Sequence, residues 1–94
     1  GALITNTWFF DGSNWYHIDA SGKMKTGWIL SNNRWYYLNT VSNGTKGAML
    51  TGWQYINGKW YYLNPVSDGT KGALYVNTVT PDGYRVNGNG EWVA

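Results

Sequence analysis

The sequence predicts an all-β solenoid of stacked β-hairpins, and three observations carry that prediction. A short aromatic unit recurs, with Trp pairs seven residues apart at Trp8 and Trp15, Trp28 and Trp35, and Trp53 and Trp60. β-Branched and aromatic runs bounded by Asn-Gly, Asp-Gly and Ser-Asn turn signals read as strands, and no segment keeps a helical apolar period. Rings and glycines replace an aliphatic core: seven Trp, eight Tyr and 13 Gly stand among 94 residues. A chain this short cannot bury a large aliphatic core, whereas stacked units share a continuous spine.

The units follow in order. The first spans approximately residues 3–24, the second 25–49 and the third 50–74, with a degenerate C-terminal cap over 75–94. The first repeat interval is 20 residues and the next 25, and the five extra residues fall in the connector. Asp19–Met24 is short, Asn39–Met49 is long, and Asn64–Leu74 matches the long one nearly residue for residue. Stacked hairpins tolerate insertions of this kind in their connectors. In the cap, Gly72-Ala73-Leu74 matches Gly47-Ala48-Met49. Counting on by 25 sets Asp82-Gly83 on the turn pair Asn57-Gly58 and puts Thr78 and Arg85 at the Trp positions. Asn87–Val93 adds a turn signal and Trp92, a closing strand or cap. Terminal repeats of solenoids are atypical because one side faces solvent. The chain opens inside the pattern and without Met. The expectation is therefore a piece of a longer protein, with Tyr16 facing repeats upstream.

Turn chemistry fixes the faces. With Asn57-Gly58 as the centre of a type I′ turn, Tyr55 pairs with Trp60, Gln54 with Tyr61 and Trp53 with Tyr62. Directly paired residues share a face, and faces alternate along a strand. Trp53 and Trp60 then lie on one face and Tyr61 on the other. The same count puts Trp28 and Trp35 opposite Tyr36, and Trp8 and Trp15 on one face of the first unit. Stacked in series, two Trp of one hairpin meet the Tyr of the next, with an apolar residue before the next Trp closing the fourth side. The expected boxes are Trp8, Trp15, Met24 and Tyr36; then Trp28, Trp35, Met49 and Tyr61; then Trp53, Trp60 and Leu74. Tyr84 is assigned to the third, although the count by 25 puts Val86 at the Tyr position.

A box of three rings suits a quaternary ammonium, which has no hydrogen-bond donor and is drawn to aromatic faces by the ring quadrupole. At roughly 0.5–2 kcal/mol per ring, a box holds free choline at about millimolar strength. Several weak boxes facing a repetitive polymer gain by avidity. A purely structural stack, with rings packed edge to face, accounts for the same spacing. Both readings hold at once, because box rings also join neighbouring units.

The pattern Thr-Gly-Trp…Gly-Lys-Trp-Tyr-Tyr-Leu-Asn…Gly-Ala-Met resembles the choline-binding (cell-wall-binding) repeat of Gram-positive surface proteins and phage lysins. The resemblance covers Thr5 to about Leu74. It implies a left-handed superhelix of hairpins, secretion to the bacterial surface, and noncovalent attachment to phosphocholine on teichoic or lipoteichoic acid. It implies two Trp of one repeat and a Tyr of the next as ligand-binding residues, most cleanly Trp28, Trp35 and Tyr61, then Trp8, Trp15 and Tyr36. It leaves open a homodimer through the module ends. Departures are His17 in the place of Tyr37 and Tyr62, Leu74 for Met, and Tyr84 out of step. The alternative is a carbohydrate-binding repeat module for glucan or cell-surface glycan without choline specificity, which related repeats represent. The paired Trp favour choline.

The remaining residues narrow the function class. There is no Cys, hence no disulfide framework or thiolate site. The net charge is +2 and the basic residues are scattered, which is not a nucleic-acid footprint. No apolar run approaches the ~20 residues of a membrane span. Asp11, Asp68 and Asp82 each precede Gly in turn contexts, and the lone His17 has no sequence partner suggesting a triad or metal site. The expectation is a binding module without catalytic residues, metal or cofactor, its ligand being choline or phosphocholine. Any catalytic domain lies outside this chain.

Overall fold

A computed structural model of the chain describes residues 7–94. The opening residues of the first unit, before Thr7, lie outside the described residues. The described residues hold nine strands and no helix: β1 (Thr7–Phe10), β2 (Trp15–Ile18), β3 (Gly27–Ser31), β4 (Arg34–Leu38), β5 (Gly52–Ile56), β6 (Lys59–Leu63), β7 (Thr78–Val79), β8 (Arg85–Val86) and β9 (Trp92–Val93). They form three separate two-stranded hairpins, β1–β2, β3–β4 and β5–β6, and a closing three-stranded sheet β7–β8–β9. Stacked along one direction, they give an elongated body of 49 × 26 × 22 Å. The architecture is an all-β solenoid in which each coil is one hairpin and its connector.

Turn residues set the register. Asn57 and Gly58 both have positive φ, 50° and 83°, as do Asn32 and Asn33, 50° and 65°. Two-residue type I′ turns need that, and their twist matches the strands they join. The pairings that follow are Trp53 with Tyr62, Gln54 with Tyr61 and Tyr55 with Trp60. In the second hairpin Trp28 pairs with Tyr37, Ile29 with Tyr36 and Leu30 with Trp35. The first hairpin turns through four residues. The Asp11 carboxylate accepts from the Ser13 and Asn14 N–H groups at 2.8 and 2.7 Å, leaving Trp8 opposite His17 and Phe10 opposite Trp15.

The fourth hairpin departs from the count by 25. Thr80 N–H donates to Tyr84 O at 2.7 Å and Gly83 N–H to Thr80 O at 2.9 Å. The loop is therefore Pro81-Asp82-Gly83, one residue longer than a type I′ turn, with Gly83 at φ 92°. Val79 then pairs with Arg85 and Thr78 with Val86. Val79 and Gly83, not Thr78 and Arg85, stand where the other coils carry Trp.

Connectors close each coil on an Asx residue that follows a core aliphatic. Ile18-Asp19, Leu38-Asn39, Leu63-Asn64 and Val86-Asn87 are equivalent. The aliphatics bridge back to Met24, Met49, Leu74 and Trp92 respectively. Leu38, Leu63 and Val86 are fully buried and form the spine. Ala73 of the third coil packs with Ile29, Tyr36 and Leu38 of the second, so the core runs continuously between coils. Backbone bonds tie coil to coil as well: Met49 N–H donates to Trp15 O, and Leu74 N–H to Trp35 O, both at 2.8 Å.

Candidate functional site: three aromatic boxes between coils

Each junction between hairpins carries an aromatic cavity. Trp8 meets Tyr36 of the next coil edge to face, with centroids 4.9 Å apart and planes at 67°. Trp28 meets Tyr61 at 5.0 Å and 72°, and Trp53 meets Tyr84 at 5.9 Å and 86°. The second Trp of each pair, Trp15, Trp35 or Trp60, stands partly exposed beside its cavity. The first cavity, about 380 Å³, is lined by Trp8, Trp15, Tyr36 and Met49, with Ser67, Gly69 and Lys71 at its rim. The second, also about 380 Å³, has Trp28, Trp35, Tyr61 and Leu74, with Val76, Gly88 and Asn89. The third, about 390 Å³, has Trp53, Trp60, Tyr84, Trp92 and Asp82.

The ring sets of the first two cavities are those the register predicts, and the third holds the assigned Trp53, Trp60 and Tyr84 with Trp92 in addition, but the aliphatic walls are displaced by one coil. Met24 does not line the first cavity; Met49 does. Leu74, not Met49, closes the second, and Leu74 is absent from the third. The cause is the path of the connector. Met49 follows the second hairpin, bridges to its Leu38 and lies against Trp15 of the first through the backbone bond above. A box therefore takes its Trp pair from one coil, and both its Tyr and its aliphatic wall from the next. Met24 belongs with Tyr16, and its half-exposed side chain packs at Gly47 instead.

The same alignment corrects Tyr84. Counted from the connector Asx, Tyr36, Tyr61 and Tyr84 each lie three residues before Asn39, Asn64 and Asn87. Tyr84 is in step, and Val86 is the spine residue. Gly90-Glu91-Trp92 likewise matches Gly47-Ala48-Met49, so Trp92 is the third box's counterpart of the aliphatic wall. Sequence reasoning missed Trp92 and Asp82. Alignment on the connector Asx, instead of a fixed interval, finds the first.

The profile of the cell wall binding repeat, choline-binding type, matches residues 6–24, 26–40 and 51–65, together more than half of the chain. The chain belongs to the cell wall binding repeat family. The choline binding domain of Spr1274 from Streptococcus pneumoniae is 46% identical over 100% of both chains, with a TM-score of 0.78. Choline binding protein F of Streptococcus pneumoniae, solved with a peptidoglycan analogue, is 52% identical with a TM-score of 0.76. There the match covers 93% of this chain but 26% of the other, so this chain spans about a quarter of that protein's length. The multimodular pneumococcal cell wall endolysin from phage Cp-1, solved with choline, is 29% identical with a TM-score of 0.63, over 99% of this chain and 32% of that one. No curated protein sequence matches.

Electrostatics differ among the three repeat junctions. Burial, and then Glu91, push the Tyr61 phenol up, and burial, followed by Asp82 and Tyr75, does the same to Tyr62. Both phenols stay neutral at any physiological pH. His17 stacks edge-on to Trp8 at 5.0 Å, as Tyr37 does to Trp28 at 5.0 Å, and Tyr62 packs tilted on Trp53 at 5.1 Å. It is part of the ring column, and burial and then Lys25 hold its pKa below 6.5. In the third box Trp53 Nε1 donates to Asp82 Oδ2 at 2.8 Å, and the Thr80 hydroxyl donates to Asp82 Oδ1. These bonds, Thr80's first, hold the Asp82 carboxyl below its ordinary value of 3.8. Among the described residues no group of His, Cys, Asp and Glu is placed to hold a metal ion.

Proposed function

We propose that this chain anchors its parent protein noncovalently to the bacterial cell wall by holding choline or phosphocholine of teichoic or lipoteichoic acid in the boxes between coils. The observation that carries the reading is the threefold recurrence of one constellation. Two Trp from one coil meet a Tyr and an apolar side chain from the next, around near-equal cavities. Rings on three sides offer a quaternary ammonium its preferred surroundings, and that group has no N–H donor to leave unsatisfied there. The co-occurrence of choline in the endolysin neighbour's structure supports the same ligand class. The ligand is the only small molecule the reading requires; the boxes need no cofactor.

Each box on its own is weak, on the order of 1 mM. Attachment to a polymer displaying many cholines then rests on simultaneous engagement of the boxes. Association of two chains through their module ends would add further boxes, and sedimentation velocity with and without choline tests for it. No helix among the described residues is long and apolar enough to cross a membrane, and the reading places the module outside the cell, on the wall of the secreting bacterium.

The test is a choline titration followed by Trp fluorescence and by indole N–H resonances. Saturable shifts with midpoints near millimolar are expected. Trp35→Ala should remove one site from the stoichiometry and loosen the stack, because the Trp35 ring lines the second box between coils. Absence of any saturable change up to tens of millimolar choline, with saturation by a glucan or wall oligosaccharide instead, would overturn the choline reading in favour of a glycan-binding module.

A further inference from the structure

The three boxes share a set of two Trp and one Tyr but not their rims. Lys71 lines the first cavity, the second is lined by uncharged residues, and Asp82 lines the third. We infer that rim charge grades the boxes by ligand form: the first prefers choline carrying a phosphate, and the third prefers the unesterified ammonium. The inference rests on the choline reading above and deepens it.

The third box carries the argument furthest. Its carboxylate is built in, not incidental. Asp82 sits in the widened Pro81-Asp82-Gly83 loop, and the indole N–H of Trp53, itself a wall of the box, donates to it at 2.8 Å. The Thr80 hydroxyl holds the other carboxylate oxygen. Thr80 is buried, so the carboxylate is positioned from two sides. Bonds from Thr80 and Trp53 favour the ionised form, so the charge is present at neutral pH. A fixed anion at the rim attracts a quaternary ammonium and repels the phosphate that an esterified choline brings with it. Trp92 adds a fourth ring where the other boxes have Met49 or Leu74, and Trp is the strongest ring for a cation.

The first box has the opposite rim. Lys71 comes from the connector of the third coil, two coils on from Trp8 and Trp15. A lysine there offers a phosphate a partner and disfavours a bare cation. The second box has no charged lining residue, only Glu91 behind its Tyr61 wall, and is the internal reference. The consequence for wall binding is a division of labour. A phosphocholine-decorated polymer engages the first two boxes, and the third takes free choline or another small quaternary or tertiary amine.

The experiment titrates the intact chain with choline and separately with phosphocholine. It reads the assigned indole N–H signals of Trp8, Trp28 and Trp53 in one sample each, at low and at 0.5 M NaCl. The quantity read is the ratio of the two midpoints at each Trp. Phosphocholine should bind more tightly than choline at Trp8 and about equally at Trp28. At Trp53 choline should be favoured by roughly tenfold, which corresponds to about 1.4 kcal/mol. High salt should draw all three ratios toward that of Trp28, because exposed charges are screened. Asp82→Asn should collapse the Trp53 ratio, and Lys71→Gln the Trp8 ratio, each without moving the other. If Asp82→Asn disturbs the loop, the salt dependence in the unaltered chain still decides. Equal, salt-independent ratios at all three Trp would overturn the inference while leaving the choline reading intact. Absence of saturation at every Trp with both ligands would instead remove the choline reading beneath it.

Discussion

His17 is the one residue of the Tyr37 and Tyr62 column that can change charge near neutrality. Its Nδ1 is buried without a hydrogen-bond partner, and its ring lies against Trp8. Burial, reinforced by Lys25, holds its folded pKa below the ordinary 6.5. Below pH 6.5 the unfolded chain takes up a proton that the folded chain resists, so this part of the stability is complete above 6.5 and is lost as pH falls through the folded value. His17→Tyr should therefore remove a downward step in Tm that sets in below pH 6.5 and raise Tm modestly throughout. Thermal melts from pH 5 to 8 check this, and a step that persists in the variant would contradict it. Gly72 makes a second residue-scale case. Its φ is +88°, and a Cβ there would sit 2.8 Å from Met49 Cγ, the side chain that closes the first box. Gly58 has a similar φ of +83° but open space around it. Both Ala variants incur the left-handed backbone cost of roughly 1–2 kcal/mol. Gly72→Ala alone should also displace Met49 and weaken the choline response of Trp8, while Gly58→Ala leaves it in place.

At the scale of the element, the long connectors work as side-chain-stapled loops. Asn64 is buried; its amide donates to Asp68 Oδ1, Thr70 O and Thr70 Oγ1 at 3.1, 3.3 and 3.0 Å, and its carbonyl accepts from Val66 N–H at 3.0 Å. Asn39 repeats this with Asn43, Thr45 and Val41. Asn64→Ala should cost about 2–4 kcal/mol, since several bonds go and buried loop groups lose partners. Urea melts measure the loss. Asp68→Asn is the built-in control, because Asn43 already holds that position in the second connector. The Thr70 hydroxyl, then the Thr70 N–H and Asn64, hold the Asp68 carboxyl below 3.8. Its stabilising share exists above about pH 3.8 and is lost as pH falls through the lowered value, so Asp68→Asn should keep neutral stability and soften acid unfolding. The hairpins were legible in the sequence because Asn57-Gly58 and Asn32-Asn33 dictate a turn type, and turn type dictates faces. The walls were not, because which coil Met49 packs against depends on the connector's three-dimensional path, and that path is set by the buried Asn39 and by the bond to Trp15. The fourth coil misled a fixed count because its hairpin has a loop one residue wider but arms two residues shorter on each side. Its Asx landmark, Asn87, therefore falls two residues short of the count by 25 from Asn64.

For the whole molecule, the decisive fact is that every box lies across a junction. No hairpin owns a site, so a bound ligand links the coils that build its box. A solenoid's stability is a sum of weak units and their interfaces, and the interfaces here consist largely of rings such as Trp8 on Tyr36 and Trp28 on Tyr61. A ligand that binds only the folded form adds RT ln(1 + [L]/Kd) per site. With Kd near 1 mM and 10 mM choline, each box adds about 1.4 kcal/mol, and three add about 4 kcal/mol. For a domain of this size that corresponds to a Tm rise of well over 10 °C. Ligand-free, the stack should fray from its ends, with amide exchange fastest in coils having one neighbour; saturating choline should even out protection along the chain. Trp28→Ala should lower the choline-induced rise by about a third beyond its own destabilisation, because one junction of three no longer gains from the ligand. Calorimetry with stepped choline measures the first effect and hydrogen exchange the second. A Tm that moves by less than a degree or two while Trp fluorescence saturates would mean that the ligand sits on a preformed coil and not between coils, and the junction would then lose its standing as the functional unit.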